Sequence, residues 1–246
     1  MATQNLNEQI ASLQTYVDNA RRMVFFGGAG VSTESGIPDF RSKDGLYNQK
    51  YSVPPETILS HTYFMEHTDE FYRYYREKML CLDAQPNAAH KKLAAWEKEG
   101  KLSYVLTQNI DGLHQKAGSR KVVELHGTIH DNFCMDCGAH YDGAWVQHTT
   151  GVPHCEHCGG IVKPCVVLYE ESLDESGLQC AVYELSKADL LIVGGTSLTV
   201  YPAAGLIHYR QKSCPLILIN RDPTPADDMA DLCIHGSIGE IFQQLT

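Results

Sequence analysis

The chain has 246 residues, 43% of them hydrophobic, which is enough for one α/β domain with a generous core plus a small insertion. Twenty Lys and Arg against thirty Asp and Glu leave a net charge of −10, which speaks against direct nucleic-acid binding, since that needs many cations on phosphates, and fits a solvated acidic surface. The first 22 residues lack the basic start and apolar run of a signal peptide, no segment approaches the roughly 18 apolar residues of a bilayer span, and nine cysteines without an export signal point to a reducing compartment; a cytoplasmic protein with no membrane contact is expected.

Leu6, Ile10, Leu13 and Val17 recur at helical spacing and predict an amphipathic first helix ending near Arg21-Arg22. Met23 to Phe26 is a short buried strand that runs into Gly28 and Gly30. Their missing side chains let backbone approach a pyrophosphate, whose charge the N-terminus of a following helix would favour. The third glycine of the dinucleotide fingerprint is replaced by Thr33, so this loop by itself reads equally well as a tight turn. Beyond it, Gly36-Ile37-Pro38-Asp39-Phe40-Arg41 sets a rigid turn, an acid, an aromatic and a cation near the expected place of a dinucleotide's reactive ring.

Pro54-Pro55-Glu56 opens a helical stretch through His61 to Glu66 and, with Thr68 as N-cap, through Asp69 to Leu80. Tyr63, Phe64, Phe71, Tyr72, Tyr74 and Tyr75 make it an aromatic core stripe between two modules. Pro86-Asn87 caps a helix over Ala88 to Glu99, closed by Gly100. Ser103 to Thr107 reads as a buried strand followed by the polar loop Gln108-Asn109-Ile110-Asp111-Gly112, at the strand end where an open α/β sheet collects ligands. Lys121 to Leu125 is the next strand and delivers His126-Gly127. Taken alone, a histidine in that position is as readily a structural hydrogen-bonding residue. Val182 to Leu185, Leu190 to Val193, Ala203 to Gln211 and Leu216 to Ile219 continue the alternation of strand and helix, and Ile238 to Leu245 is a final helix. That alternation predicts a Rossmann-like, doubly wound parallel sheet with right-handed crossovers and helices on both faces.

The rhythm breaks over residues 128–163. Cys134-x2-Cys137 and Cys155-x2-Cys158, seventeen residues apart, have the spacing of a tetrahedral zinc site, and four thiolates leave no open position for a catalytic water. One structural Zn2+ per chain is therefore expected. The anticipated division is a dinucleotide-binding unit over 20–127 and 164–246, a small zinc-ribbon unit over 128–163 and a helical insertion over 50–82.

GAGVSTESGIPDFRS at Gly28 to Ser42, TQNIDGLH at Thr107 to His114, LHG at Leu125 to Gly127, the four-cysteine pattern and GTSLTVYPA at Gly195 to Ala203 together resemble the sirtuin family, the NAD-dependent protein-lysine deacylases, over nearly the whole chain. The resemblance implies a deacetylase: the amide oxygen of acetyl-lysine in a protein attacks C1′ of the nicotinamide ribose as nicotinamide leaves, and His126, as general base towards the ribose hydroxyls, drives collapse to free lysine and O-acetyl-ADP-ribose. Asn109 and Asp111 are implied as its catalytic companions. Ala29, Gly30 and Thr33 would line the NAD, Asp39 and Phe40 would bound the nicotinamide pocket, and Arg41 would pair with phosphate. Gln108, Asn109 and Asp111 would surround the nicotinamide ribose. Gly195, Thr196 and Ser197 would meet phosphate and ribose from the other half of the sheet, and Asn220 with Asp222 would hold the adenosine ribose. Val167, Leu168 and Tyr169 would take the substrate peptide as an added strand. A monomer is expected.

Two positions depart from the family. Leu168-Tyr169-Glu170-Glu171 stands where many members have a Phe-Gly-Glu run, and the Tyr-x-x-Arg of succinyl-preferring members becomes Tyr72-Arg73-Tyr74-Tyr75 with Arg76 one residue late. One helical step turns a side chain by about 100°, so acetyl-lysine is expected to be preferred. Hydride transfer is the weaker reading, because no acid stands about 20 residues beyond the glycines to hold a ribose. The rival on the same scaffold is an ADP-ribosyltransferase or NAD glycohydrolase. A non-catalytic NAD-sensing or partner-binding module is the third possibility.

Overall fold

The computed structural model describes residues 2–40, 45–48 and 51–246. In chain order it contains α1 (Ala2–Asn19), β1 (Met23–Gly27), α2 (Pro55–Ile58), α3 (His61–Glu66), α4 (Thr68–Tyr74), α5 (Ala88–Lys98), β2 (Leu102–Thr107), α6 (Leu113–Ala117) and β3 (Val122–Glu124). There follow β4 (Gly127–Cys134), β5 (His140–Asp142), α7 (Gly143–His148), β6 (Val162–Val166), α8 (Glu175–Lys187), β7 (Leu190–Gly194), β8 (Leu216–Asn220), β9 (Leu232–His235) and α9 (Ile238–Gln243).

Six strands form a parallel sheet in the order β3-β2-β1-β7-β8-β9. Strand residues alternate between its faces, as a period of two requires, and both faces are dry. Met23 and Phe25 of β1 pack with Leu13 and Val17 of α1, Leu93 and Trp96 of α5 and Phe242 of α9. Val24 and Phe26 pack on the other side with Ala181 and Leu185 of α8 and with Ala203 to Ile207, which form a 3-10 helix rather than an α-helix. The Val182 to Leu185 segment thus belongs to a helix, and β9 is an edge strand that the sequence did not announce. Strand order reverses between β1 and β7, so a crevice opens beyond Gly27 and Gly194.

β5-β4-β6 make a separate three-stranded antiparallel sheet. Phe64, Phe71, Tyr72 and Tyr75 lie between the helices and this sheet, packed on Ile129, Val146, Val166 and Leu168. The aromatic stripe is therefore core. It is not one helix: α3, α4 and a π-helical turn at Tyr75–Met79 follow in succession. Thr68, expected as an N-cap, lies inside the first turn of α4, and its hydroxyl donates to the Phe64 carbonyl four residues back (2.7 Å), a local bond that competes with capping. Among the described residues no helix is long and apolar enough to cross a membrane.

α5 starts as its sequence suggests, with Asn87 Oδ1 accepting from the amides of Ala89 and His90, and Nδ1 of His90 accepting from the Asn87 amide. His90 and His114 are both buried, their rings 4.7 Å apart. Burial lowers the His90 pKa to about 4 and holds His114 well below the usual histidine value. Both are neutral in the fold, whereas the unfolded chain takes up protons near pH 6.5. Stability should thus be full above about pH 6.5 and decline as pH falls towards 4, with His90 alone accounting for about 3 kcal/mol. Urea midpoints measured from pH 7 to pH 4 check this, and His90→Gln should flatten the decline; a wild-type midpoint that does not move with pH counts against it.

Candidate active site

A cleft of about 550 Å³ lies outside the carboxyl ends of the central strands. On its floor the loop after β1 presses against the loop after β7. The Gly28 amide donates to Gly194 O and the Gly30 amide to Gly195 O. A Cβ on Gly28 would sit 2.7 Å from Thr196 Cβ, and one on Gly30 would sit 2.7 Å from Gly195 Cα. The glycines are needed for this loop-to-loop contact. The segment that follows forms two single 3-10 turns, Ala29–Val31 and Thr33–Ser35, so the long helix whose dipole was expected to favour phosphate does not follow directly.

The loop after β2 supplies a polar chain. Gln108 Nε2 donates to Thr196 Oγ1 (2.9 Å), Asn109 Nδ2 donates to Ser32 Oγ (3.0 Å), and Ser32 Oγ donates to Asp111 Oδ2 (2.6 Å). Ser32, Asn109 and Asp111 are all buried. Ser32 is the site residue that the sequence reading overlooked, although a hydroxyl between Gly30 and Thr33 was visible there. Asp111 Oδ1 also accepts from the Leu113 amide (2.9 Å), which fixes its carboxylate at the start of α6.

His126 stands between β3 and β4. Its Nδ1 lies 2.9 Å from the Gln108 carbonyl oxygen, which can only accept, so Nδ1 carries the proton and Nε2 keeps a lone pair. Burial lowers its pKa, opposed by that hydrogen bond, so the ring is neutral at pH 7. The His126 carbonyl accepts from the Val167 amide (2.9 Å), which brings Val167, Leu168 and Tyr169 along the same rim. Tyr169 is held to the helical segment by two backbone bonds, its amide to Leu59 O and its carbonyl to the His61 amide.

Glu170 has φ +76°, the left-handed region. That explains why a glycine suits this position, and Glu170 instead uses its carboxylate on the Thr62 amide (2.9 Å) and hydroxyl (2.7 Å) at the start of α3. Glu170→Gly should be about 1 kcal/mol more stable than Glu170→Ala, since both lose the carboxylate and alanine alone keeps a Cβ in that conformation. Thermal denaturation of the pair decides it; equal stabilities would show that the backbone relaxes.

Gly195, Thr196, Ser197, Asn220 and Asp222 line the cleft, as do Ala29, Gly30, Thr33, Asp39 and Phe40. Asn220 Oδ1 accepts from the Thr196 amide (2.8 Å), while its buried Nδ2 has no partner among the described residues. Asp39 pairs with Arg221 (2.7 Å), a cation the sequence did not single out, tying the Ile37-Pro38-Asp39-Phe40 turn to the end of β8. Arg41 lies outside the described residues. Phe40, Leu59, Tyr75, Met79, Ile110 and Val166 give the cleft an apolar arm. Arg76 points elsewhere: its guanidinium donates to Val146 O (3.1 Å), Thr149 Oγ1 (2.7 Å) and Gly151 O (2.7 Å) and lies over the Tyr72 ring, whose hydroxyl donates to Val162 O.

The cysteines of the small sheet converge. Cys134 and Cys158 sulfurs are 3.4 Å apart, Cys137 and Cys155 sulfurs 3.5 Å, and all four lie within 4.8 Å of one another. Each Cys-x2-Cys turn closes on a left-handed glycine, Gly138 and Gly159, whose amides return to Cys134 O and Cys155 O. The Tyr141 hydroxyl and His157 amide donate to Cys155 Sγ, as suits a thiolate. Four sulfur donors in two such turns can hold a metal ion.

The Sir2 family model matches residues 28–202. An NAD-dependent protein deacetylase of Clostridium acetobutylicum is 58% identical over 241 residues, covering 97% of this chain and 98% of that protein, and one of Clostridium perfringens is 51% identical, covering 96% and 98%. Among solved structures, Sir2 with deacetylated p53 peptide and 3′-O-acetyl-ADP-ribose has a TM-score of 0.89 at 38% identity, covering 95% of this chain and 96% of that one. Sir2 with p53 peptide and NAD+ has a TM-score of 0.85 at 37% identity, covering 95% of both.

Proposed function

The chain belongs to the Sir2 family, and from that premise we infer that it is an NAD-dependent protein-lysine deacetylase working in the cleft around His126. The observation that carries this reading is the histidine itself, neutral, with Nδ1 committed to a carbonyl and Nε2 left as a base.

The residues present fit NAD. A buried, unpartnered Asn220 Nδ2 in the cleft wall is a donor without an acceptor, which a ribose hydroxyl or phosphate would satisfy. Bound NAD supplies the glycosidic carbon that the acetyl-lysine amide oxygen attacks as nicotinamide leaves. Asn220 and Asp222 are assigned to the adenosine ribose, and Ala29, Gly30, Thr33, Gly195, Thr196 and Ser197 to the phosphates and the adjoining sugar. Gln108, Asn109 and Asp111, cross-linked through Ser32, orient the nicotinamide ribose. Phe40 screens that sugar from water, Asp39 bounds the nicotinamide side, and Arg41 is assigned to phosphate. His126 Nε2 then takes a ribose hydroxyl proton. Val167, Leu168 and Tyr169 align the peptide, and the apolar arm takes the acetyl-lysine stem.

Zn2+ on Cys134, Cys137, Cys155 and Cys158 is structural in this reading, because four thiolates close its coordination. It holds the 128–163 unit, with 50–82 as a helical insertion and 20–127 with 164–246 as the NAD-binding unit. The net charge of −10 supports a monomer without direct nucleic-acid contact, and nine cysteines support a reducing, cytoplasmic compartment.

Mass spectrometry of the protein with NAD and matched acetyl-lysine and succinyl-lysine peptides tests the assignment. The expected result is O-acetyl-ADP-ribose together with deacetylated peptide, and at least tenfold slower loss of succinyl, because Arg76 is committed to Val146, Thr149 and Gly151. NAD consumed to ADP-ribose, free or on protein, with the acetyl peptide intact would favour the ADP-ribosyltransferase or glycohydrolase reading instead.

A further inference from the structure

Asp131, His140 and Cys165 stand on the three adjacent strands of the small sheet, one each on β4, β5 and β6, and their donor atoms converge within 4.8 Å. His140 Nδ1 is 2.8 Å from Asp131 Oδ1 and 3.1 Å from Oδ2, and Cys165 Sγ is 3.4 Å from Oδ2. The cluster shares no residue with the four-cysteine quartet. From these side chains the geometry points to a second metal site, an exchangeable one for a borderline divalent transition ion such as Zn2+, with imidazole, carboxylate and thiolate as ligands and water completing the shell.

The donor set and the separations carry this. Zinc bond lengths place tetrahedral ligand atoms roughly 3.4–3.6 Å apart for mixed nitrogen, oxygen and sulfur donors, and roughly 3.8 Å apart for two sulfurs. Measured against those separations, His140 Nδ1 and Asp131 Oδ1 at 2.8 Å are about 0.6 Å too close and Cys165 Sγ and Asp131 Oδ2 at 3.4 Å about 0.2 Å too close, while the quartet's sulfurs at 3.4 and 3.5 Å are about 0.3–0.4 Å too close. Both sets must open to admit an ion, the cluster chiefly between His140 and Asp131. The cluster can expand, because the His140 and Asp131 side chains are 65% and 45% exposed, while the Asp131 backbone is paired with Asp142 across β4 and β5. Without an ion the three are joined by the bonds of His140 Nδ1 and Cys165 Sγ to the Asp131 carboxylate, and an exposed histidine–aspartate pair contributes at most about 1 kcal/mol, so coordination displaces them at little cost. Coordination replaces the thiol proton of Cys165, which passes to solvent, with the metal–sulfur bond. Three protein ligands and solvent access make this site weaker and faster-exchanging than the quartet. Its location gives it a consequence: β4 begins at Gly127 beside His126, and β6 ends at Val166 beside Val167, so an ion here clips together the two strands that enter the cleft.

The test is a Co2+ titration of the zinc-loaded protein at neutral pH, following visible and near-ultraviolet absorption while metal content is measured after gel filtration. One added equivalent of cobalt per chain is expected, with a thiolate-to-cobalt charge-transfer band, zinc remaining at one equivalent. Cys165→Ser should abolish the band, and His140→Ala, an exposed change that leaves the strands intact, should weaken cobalt binding at least tenfold. No second equivalent, cobalt uptake matched by zinc release, or a thiolate band that survives Cys165→Ser would each overturn the site. The last would direct attention to Asp227 with Cys233 and His235 of β9, a looser group with separations of 3.6 and 3.7 Å.

Discussion

His126→Ala should lower the rate of acetyl removal by about 10²–10⁴-fold, the usual worth of a positioned general base, while NAD affinity changes by no more than a few-fold. The split follows from the structure. The histidine's contacts to the protein are the Gln108 carbonyl and the backbone of Val167, whereas the groups assigned to the dinucleotide are held by Ser32, Thr196 and Asn220. Single-turnover kinetics with acetyl peptide give the rate, and calorimetry gives the NAD affinity. The pH profile adds a sign: the base must be unprotonated, and burial lowers its pKa, so activity should persist to a lower pH than an ordinary histidine allows and fall only below that. A His126→Ala protein that deacetylates at the wild-type rate would remove the base assignment altogether.

Cys155→Ser should have an effect of comparable size through a different route. The small sheet has little core of its own: Cys134, Cys155 and Val162 are its buried cluster, with Ala139, Tyr141 and Trp145 packed around them. Apolar area of that extent stabilises by only a few kcal/mol, whereas a structural zinc on four thiolates contributes on the order of 10 kcal/mol. Losing one thiolate should release the ion, expose the amides of β4 to β6 to exchange and abolish turnover, because β6 feeds directly into Val167. The six-stranded sheet, dry on both faces, should remain protected. Metal analysis, hydrogen exchange and activity on one preparation separate these outcomes. Metal-free protein with full activity and protected amides over 127–166 would show that the quartet is dispensable.

The distribution of what could be read from the sequence has physical causes. β1, β2, β7 and β8 are runs of four to six mostly apolar residues bounded by glycines or polar loops, and such runs have few alternatives. The cysteine pairs were legible because ligand spacing is fixed by bond geometry. Ser32 and Arg221 were not, because each acts through a partner distant in sequence, 79 residues away at Asp111 and 182 at Asp39, and local pattern does not carry that information. The break between α3 and α4 was legible, after Glu66, but its cap was placed one residue late at Thr68, because a threonine hydroxyl can cap a helix or return to a carbonyl behind it, and propensity does not distinguish the two. β9 was missed because its alternation is short and it lies at a sheet edge.

The bond from the Val167 amide to the His126 carbonyl joins the two strands by which the chain leaves the large sheet and returns to it. Mechanically these are two legs of one stand, braced at the top. If the small sheet tilts, both legs tilt with it, so His126 and the Val167–Tyr169 segment, the proposed base and peptide-binding strand, would travel as one body. Cleft width could then vary while the spacing between His126 and the Val167–Tyr169 segment is held by a single cross-brace of 2.9 Å.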